Sequence, residues 1–177
     1  MSGTRHRSII GIAGWKNSGK TTLAVRLIEE LTRRGYRVSS LKHAHHDFQI
    51  DTGETDSARH RRAGANEVAI VSPDRWAVIG ELRGEAEPSL AQMLARLAPC
   101  DLVVVEGFKS AAIPKIEARR SAAAQKSPLS SGDPDIIAIA ADHAVPGAAV
   151  PVFGLDDIAR LADLIVSALA LVPGRKP

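Results

Sequence analysis

The stretch Gly14-Trp15-Lys16-Asn17-Ser18-Gly19-Lys20-Thr21 decides how this chain is read. It fits G-x-x-x-x-G-K-[ST], the pattern of a phosphate-binding loop, and its flanks fit too. The apolar run Ile9-Ile10-Gly11-Ile12-Ala13 before it reads as a strand, and helical spacing begins at Thr21. In such a loop successive backbone N–H groups turn inward and wrap a phosphate chain. Gly14 and Gly19 admit torsions and close approach that a side chain blocks. Lys20 is expected to reach the β- and γ-phosphates as a catalytic lysine, and the Thr21 hydroxyl to sit on Mg²⁺. Trp15, Lys16, Asn17, Ser18 and Thr22 complete the predicted nucleotide-binding set. The helix that follows presents the positive end of its dipole to the anion.

Outward from this loop, apolar strands alternate with helical patterns. That alternation predicts an α/β fold of the P-loop NTPase type, three layers (α/β/α) around a mostly parallel sheet. Leu23, Leu27, Ile28 and Leu31 recur at helical spacing, and Gly35 stops that helix. Tyr36 to Leu41 reads as a strand, 43–55 as a polar loop, and Asp56 to Ala63 as a short helix. Glu67 to Val71 and Trp76 to Ile79 flank the Ser72-Pro73-Asp74 turn as a hairpin. Pro88 to Leu97 reads as a helix. Leu102 to Val105 is a continuous apolar run, as a central strand requires. Ile113 to Arg119, Ile136 to Ala140 and Val150 to Phe153 read as further strands. Ala122 to Pro134, rich in small residues, reads as a mobile loop. A last helix runs from about Asp157 to Leu171, with Asp156 as its expected cap. Residues 1–7 read as a flexible basic tail, 8–172 as a single nucleotide-binding domain and 173–177 as a C-terminal tail.

The chain has 177 residues, 45% hydrophobic and 24% charged, within the range of a soluble globule. A net charge of +3 and 3% aromatic content argue against nucleic acid as a partner. No apolar run reaches the length of a membrane span, and the cytoplasm is the expected compartment. The lone Cys100 excludes an internal disulfide and reads as a small buried filler. The basic run Arg59-His60-Arg61-Arg62 reads as a solvated helix face before a phosphate or partner contact.

Beyond the loop, three features carry chemistry. Glu106 follows the apolar run and is expected to hold Mg²⁺ through water, or to polarise a water near the γ-phosphate. Neither the Asp-x-x-Gly element of regulatory GTPases nor an Asn-Lys-x-Asp base-reading motif is present. Asp142, after Ile136 to Ala140, has two open readings: acceptor for the guanine N1 and N2 hydrogens, or cap of a turn. Lys42-His43-Ala44-His45-His46-Asp47, with Asp51 and Asp56 behind it, has three. It binds a transition metal through imidazole, folds over the nucleotide with Asp51 near Mg²⁺, or is a solvated polar loop.

Taken together these residues resemble the family of molybdopterin-guanine dinucleotide biosynthesis adapter proteins, small P-loop GTP-binding proteins. The match is carried by Gly14 to Thr22, Lys42-His43 with His45-His46-Asp47, Asp51, Gly53, Asp56-Ser57 and Ala63-Gly64-Ala65. Arg75-Trp76-Ala77 and Glu106-Gly107-Phe108-Lys109 complete it, and its organisation spans about residues 9–171. The resemblance implies a cytoplasmic homodimer that binds GTP with Mg²⁺ and hydrolyses it slowly at most. Its partner is then the molybdenum cofactor guanylyltransferase that joins GMP to molybdopterin, with molybdopterin itself a further ligand. Thr21, Asp51 and Glu106 carry over as metal-site residues. Lys42, His43, His45, His46, Arg62 and Lys109 carry over as ligand or partner candidates. The hairpin around Trp76 is the expected dimer interface. Two other readings share the P-loop. One is a small-molecule kinase with a lid from Ala118 to Asp133, bearing Arg119 and Arg120. The other is a metallochaperone GTPase using His43, His45 and His46.

Overall fold

A computed structural model describes residues 8–44, 48, 50–51, 53–124 and 127–172. The predicted tails and the candidates His45 and His46 lie outside the described residues. The elements in chain order are β1 (Ser8–Ala13), α1 (Lys20–Arg33), β2 (Val38–Lys42), α2 (Asp56–Arg62), β3 (Glu67–Val71), β4 (Trp76–Gly80), α3 (Leu90–Arg96), β5 (Leu102–Glu106), β6 (Lys115–Arg119), β7 (Ile136–Ala141), β8 (Val152–Gly154) and α4 (Ile158–Ala168). They fall into two compact units, one of Met1–His43 with Leu90–Pro177 and one of Ala44–Ser89. A reading of one domain over residues 8–172 does not contain that division.

The larger unit is built on a six-stranded sheet in the order β2-β5-β1-β6-β7-β8. Every pairing in it is parallel. Parallel strands covered on both faces need nearly continuous apolar runs, and β5 meets that with Leu102, Val103, Val104 and Val105 all buried. On one face Leu23, Leu27 and Leu31 of α1 and Leu161 and Ile165 of α4 pack on Ile10, Ile12, Val104, Ile116 and Ala140. On the other, Leu90, Met93 and Leu94 of α3 pack against a smaller cluster of Leu41, Cys100, Val103 and Val105. The α/β/α layering and the buried Cys100 therefore follow the sequence reading.

The helix ends are set locally. After α1 the Gly35 N–H bonds the Thr32 carbonyl at 2.9 Å and the Tyr36 N–H bonds the Leu31 carbonyl at 3.1 Å. That is the Schellman closure, and Gly35 supplies its left-handed residue at φ 91°. At α4 the cap is Asp157, not the expected Asp156. The Asp157 carboxylate turns back to accept the Gly154 N–H at 2.9 Å, while Asp156 pairs with Arg26.

The smaller unit holds α2 and the antiparallel hairpin of β3 and β4, with Val71 opposite Trp76 and Ala69 opposite Val78. Thr55 caps α2 by accepting the Ala58 N–H. Arg61 reaches the Glu81 carboxylate and the Asp51 carbonyl, and Arg83 reaches the Arg61 and Ala65 carbonyls. Arginine bonds thus tie the hairpin to α2 where apolar contacts are few.

Candidate nucleotide site

In an open parallel sheet, ligands bind beyond the carboxyl ends of the strands where the strand order reverses. Here β1 has β5 on one side and β6 on the other, so the reversal falls at the end of β1. The loop from Gly14 to Gly19 lies there. The register places Lys42 and Ile12 on either side of Glu106, and Ala13 beside Glu117.

Two backbone positions force the loop's shape. Gly14 has φ 149°, and a Cβ there would stand 2.4 Å from Ser18 Oγ and 2.6 Å from the Ala118 carbonyl. Gly107, next to Glu106, has φ 95°, and a Cβ there would meet His43 Cβ at 2.7 Å. The neighbour for which Gly107 makes room is thus His43, whose ring packs on Phe108 at 4.8 Å between centroids. Asn17 adopts left-handed geometry at φ 62°, a conformation Asn tolerates better than most residues.

Cationic side chains surround one carboxylate. Lys20 Nζ donates to the Trp15 carbonyl at 2.6 Å. The Thr21 hydroxyl donates to Glu106 Oε1 at 2.7 Å. Lys42 Nζ stands 3.3 Å from both the Thr21 Oγ1 and Glu106 Oε1 atoms. Lys109 Nζ lies 4.1 Å from the centroid of the Trp15 ring, a cation–π contact. Burial, then the charges of Lys109 and Lys42, push the Lys20 ammonium below the ordinary lysine range against the opposing pull of Glu106. Lys20 thus has two further ammonium groups and one acid within electrostatic reach, a set suited to a polyanion. Mg²⁺ takes hard oxygen donors, and a hydroxyl and a carboxylate oxygen 2.7 Å apart suit it. The Lys42 ammonium already bridges those two oxygens, which marks the place as a cation position.

Other predicted residues have other company. Asp142 accepts the Ser121 N–H at 2.7 Å and its hydroxyl at 3.1 Å, and pairs with His143 at 2.8 Å. Of its two open readings, the turn cap is the one the geometry displays. His143 first, then Ser121, hold its carboxyl down to about 2. Asp51, at φ 61°, accepts from the Thr55 hydroxyl, and Arg62 pairs with Glu54; both lie in the smaller unit. The side chains of Lys16, Asn17 and Thr22 are exposed. Among the described residues no cluster of three His, Cys, Asp or Glu side chains forms a metal cage.

Sequence reasoning missed the wall beyond β6. A small cavity beside the loop is lined by Trp15, Ser18, Glu117, Arg119, Arg120 and His143, among others. The Ser18 hydroxyl is buried there without a partner among the described residues. Glu117 is 1% exposed and accepts from Arg119 at 2.8 Å, the Leu129 N–H at 2.9 Å and the Ser130 N–H at 3.0 Å. Burial pushes its carboxyl up, but Arg119 and the two amides outweigh that and leave it below its ordinary value. The signal was present: β6 alternates Lys115, Glu117 and Arg119 with apolar Ile116 and Ala118, so one face of this strand carries only charge.

Comparison with known proteins points to one family. The family model described as "Molybdopterin guanine dinucleotide synthesis protein B" matches residues 9–142. The molybdopterin-guanine dinucleotide biosynthesis adapter protein of Escherichia coli is 36% identical over 169 residues, covering 94% of this chain and 95% of that protein. Its namesake from Haemophilus influenzae is 40% identical, covering 76% and 75%. The crystal structure of Bacillus subtilis MobB superposes with a TM-score of 0.72 at 27% identity, covering 92% of this chain and 98% of that one.

Proposed function

The chain belongs to the molybdopterin guanine dinucleotide synthesis protein B family, and from that premise we propose that it is a GTP-binding adapter in molybdopterin-guanine dinucleotide biosynthesis. The observation that carries the nucleotide-binding part is the constellation at the end of β1. The glycine-shaped loop, the Lys20, Lys42 and Lys109 ammoniums and the Thr21–Glu106 oxygen pair stand together there.

In this reading the loop amides and Lys20 bind the phosphates, and Thr21 with Glu106 holds Mg²⁺. The ion, when bound, neutralises phosphate charge. Lys42 gives up the two oxygens and its ammonium turns to the anion. Hydrolysis is slow because Glu106 is committed to Thr21 and the ion, which leaves it a poor base for water.

The group-transfer chemistry belongs to the partner, a guanylyltransferase that attaches GMP to molybdopterin. We assign the cytoplasm as the compartment and a homodimer as the working form. The exposed apolar face of the hairpin, with Val71, Trp76 and Val78, supports the dimer. The kinase reading loses support from Arg119, whose guanidinium is bound to Glu117 and Ser130 rather than held as a lid arginine. The test is reconstitution of a guanylyltransferase with molybdopterin, GTP and Mg²⁺. Addition of this chain raises dinucleotide yield, and the Lys20→Ala variant does not. Equal stimulation by the variant would remove the nucleotide site from the adapter function.

A further inference from the structure

The charged face of β6 carries Lys115, Glu117 and Arg119. It is covered by the segment 127–135, pinned at two places. Lys115, 1% exposed, donates to the Ala111 carbonyl at 2.6 Å and pairs with Asp133 at 2.9 Å. Glu117 takes the Leu129 and Ser130 amides, and Arg119 ties Glu117 to the Ser130 hydroxyl. A buried ion pair stabilises little compared with an apolar pair of the same shape, so its use here is geometric. It fixes where residues 127–130 run. Those residues end on the phosphate-binding loop, where the Ser127 carbonyl accepts the Trp15 indole N–H at 2.7 Å. The Trp15 carbonyl in turn accepts Lys20 Nζ at 2.6 Å. One tryptophan therefore connects a buried carboxylate with the lysine assigned to the phosphates.

We propose that Glu117 is a positioning residue for the phosphate-binding loop, acting through residues 127–130 and the Trp15 indole to set the conformation from which Lys20 works. The inference rests on the reading of that loop as a nucleotide site. It explains why a strand in a well-packed sheet keeps a buried acid. It also explains why the segment after β6, which composition marks as mobile, is bonded to β6 at its described residues.

The chain has two tryptophans, so Trp76→Phe leaves Trp15 as the single reporter. In that background Glu117→Gln replaces one acceptor oxygen with a donor and frees residues 127–130. Trp15 emission then shifts to the red and acrylamide quenching rises. GTP affinity, measured by calorimetry with Mg²⁺, falls about 3- to 10-fold, the range for one lost hydrogen bond. Trp15→Phe keeps a ring beneath Lys109 but removes the N–H donor, and it weakens GTP by a similar factor. The double variant is no weaker than Glu117→Gln alone, because both act along one path.

Additive losses in the double variant, or Trp15 emission unchanged by Glu117→Gln, would overturn the proposal. Should Glu117→Gln fail to fold, Trp15→Phe decides alone, and wild-type affinity in that variant overturns it. If the wild-type chain takes up no GTP, the nucleotide reading is what fails. The emission of Trp15 then still shows whether Glu117 holds the loop.

Discussion

Strand β5 and the β3–β4 hairpin look alike in sequence and live in opposite surroundings. Both are rich in valine and other residues that favour strands. In β5 the four apolar residues are buried, with β1 and β2 alongside and packed clusters on both faces. In the hairpin Val71 is 83% exposed and Trp76 67% exposed, on the same face as Val78. Composition thus specifies that a strand forms. What it buries depends on the elements that topology sets beside it. An apolar sheet face left open on a chain of this size asks for a partner, and the proposed homodimer supplies one.

The contrast can be broken first at the core. Leu27→Ala on α1, under the same sheet, should cost about 2–5 kcal/mol of stability, whereas Val71→Ala on the hairpin should cost under about 0.5 kcal/mol. Chemical denaturation of both variants checks this; equal losses would mean the hairpin is packed as tightly as the core. Next in size is association. Trp76→Asp should weaken the dimer by about 2 kcal/mol or more, roughly 30-fold, with the monomer's melting temperature unchanged. Sedimentation equilibrium reads the shift, and a dimer that survives the charge places its interface elsewhere.

A smaller effect is expected at Lys42. Its ammonium competes with Mg²⁺ for the Thr21 and Glu106 oxygens. Lys42→Met should therefore lower the Mg²⁺ concentration for half-maximal GDP binding by about 3- to 10-fold. GDP is the ligand of choice because it has no γ-phosphate for Lys42 to meet. A Mg²⁺ requirement that rises in the variant would make Lys42 a helper of the ion.

The smallest effect belongs to pH. Arg33, then Arg34, hold the half-buried Glu30 carboxyl down to about 2 from an ordinary 4.5. A depressed folded-state pKa adds stability above the unfolded value, and that stability is lost as pH falls through the folded one. The melting temperature of Glu30→Gln should lie slightly below wild type at neutral pH, with the gap closing between pH 4.5 and about 2. A gap that persists below pH 2 would trace to packing.

Most of the larger unit was legible in the chain. The loop motif, the apolar run of β5 and the leucine spacing of α1 are local patterns, and each closes within a few residues. The Thr21–Glu106 pair was legible as well, because the motif and the strand end each name one partner. What escaped was non-local or depended on exact geometry. Glu117 finds the Leu129 and Ser130 amides across a segment with no periodicity, so no window of sequence joins them. At α4 the N-cap position falls to Asp157, whose carboxylate bonds the Gly154 N–H and no N–H of the helix, so two adjacent acids read alike in sequence. Asp142 was ambiguous because one carboxylate can cap a turn or read a base, and the cap at Ser121 is seen only with β6 and β7 in register.

The most direct test is calorimetric titration of GTP and of ATP, each with Mg²⁺, into the wild-type chain and Lys20→Ala. Binding should be selective for GTP in the wild type and weakened on the order of 100-fold in the variant, as for an unpaired charge in a polyanion site. Preference for ATP, or unchanged GTP affinity in Lys20→Ala, would contradict the GTP reading.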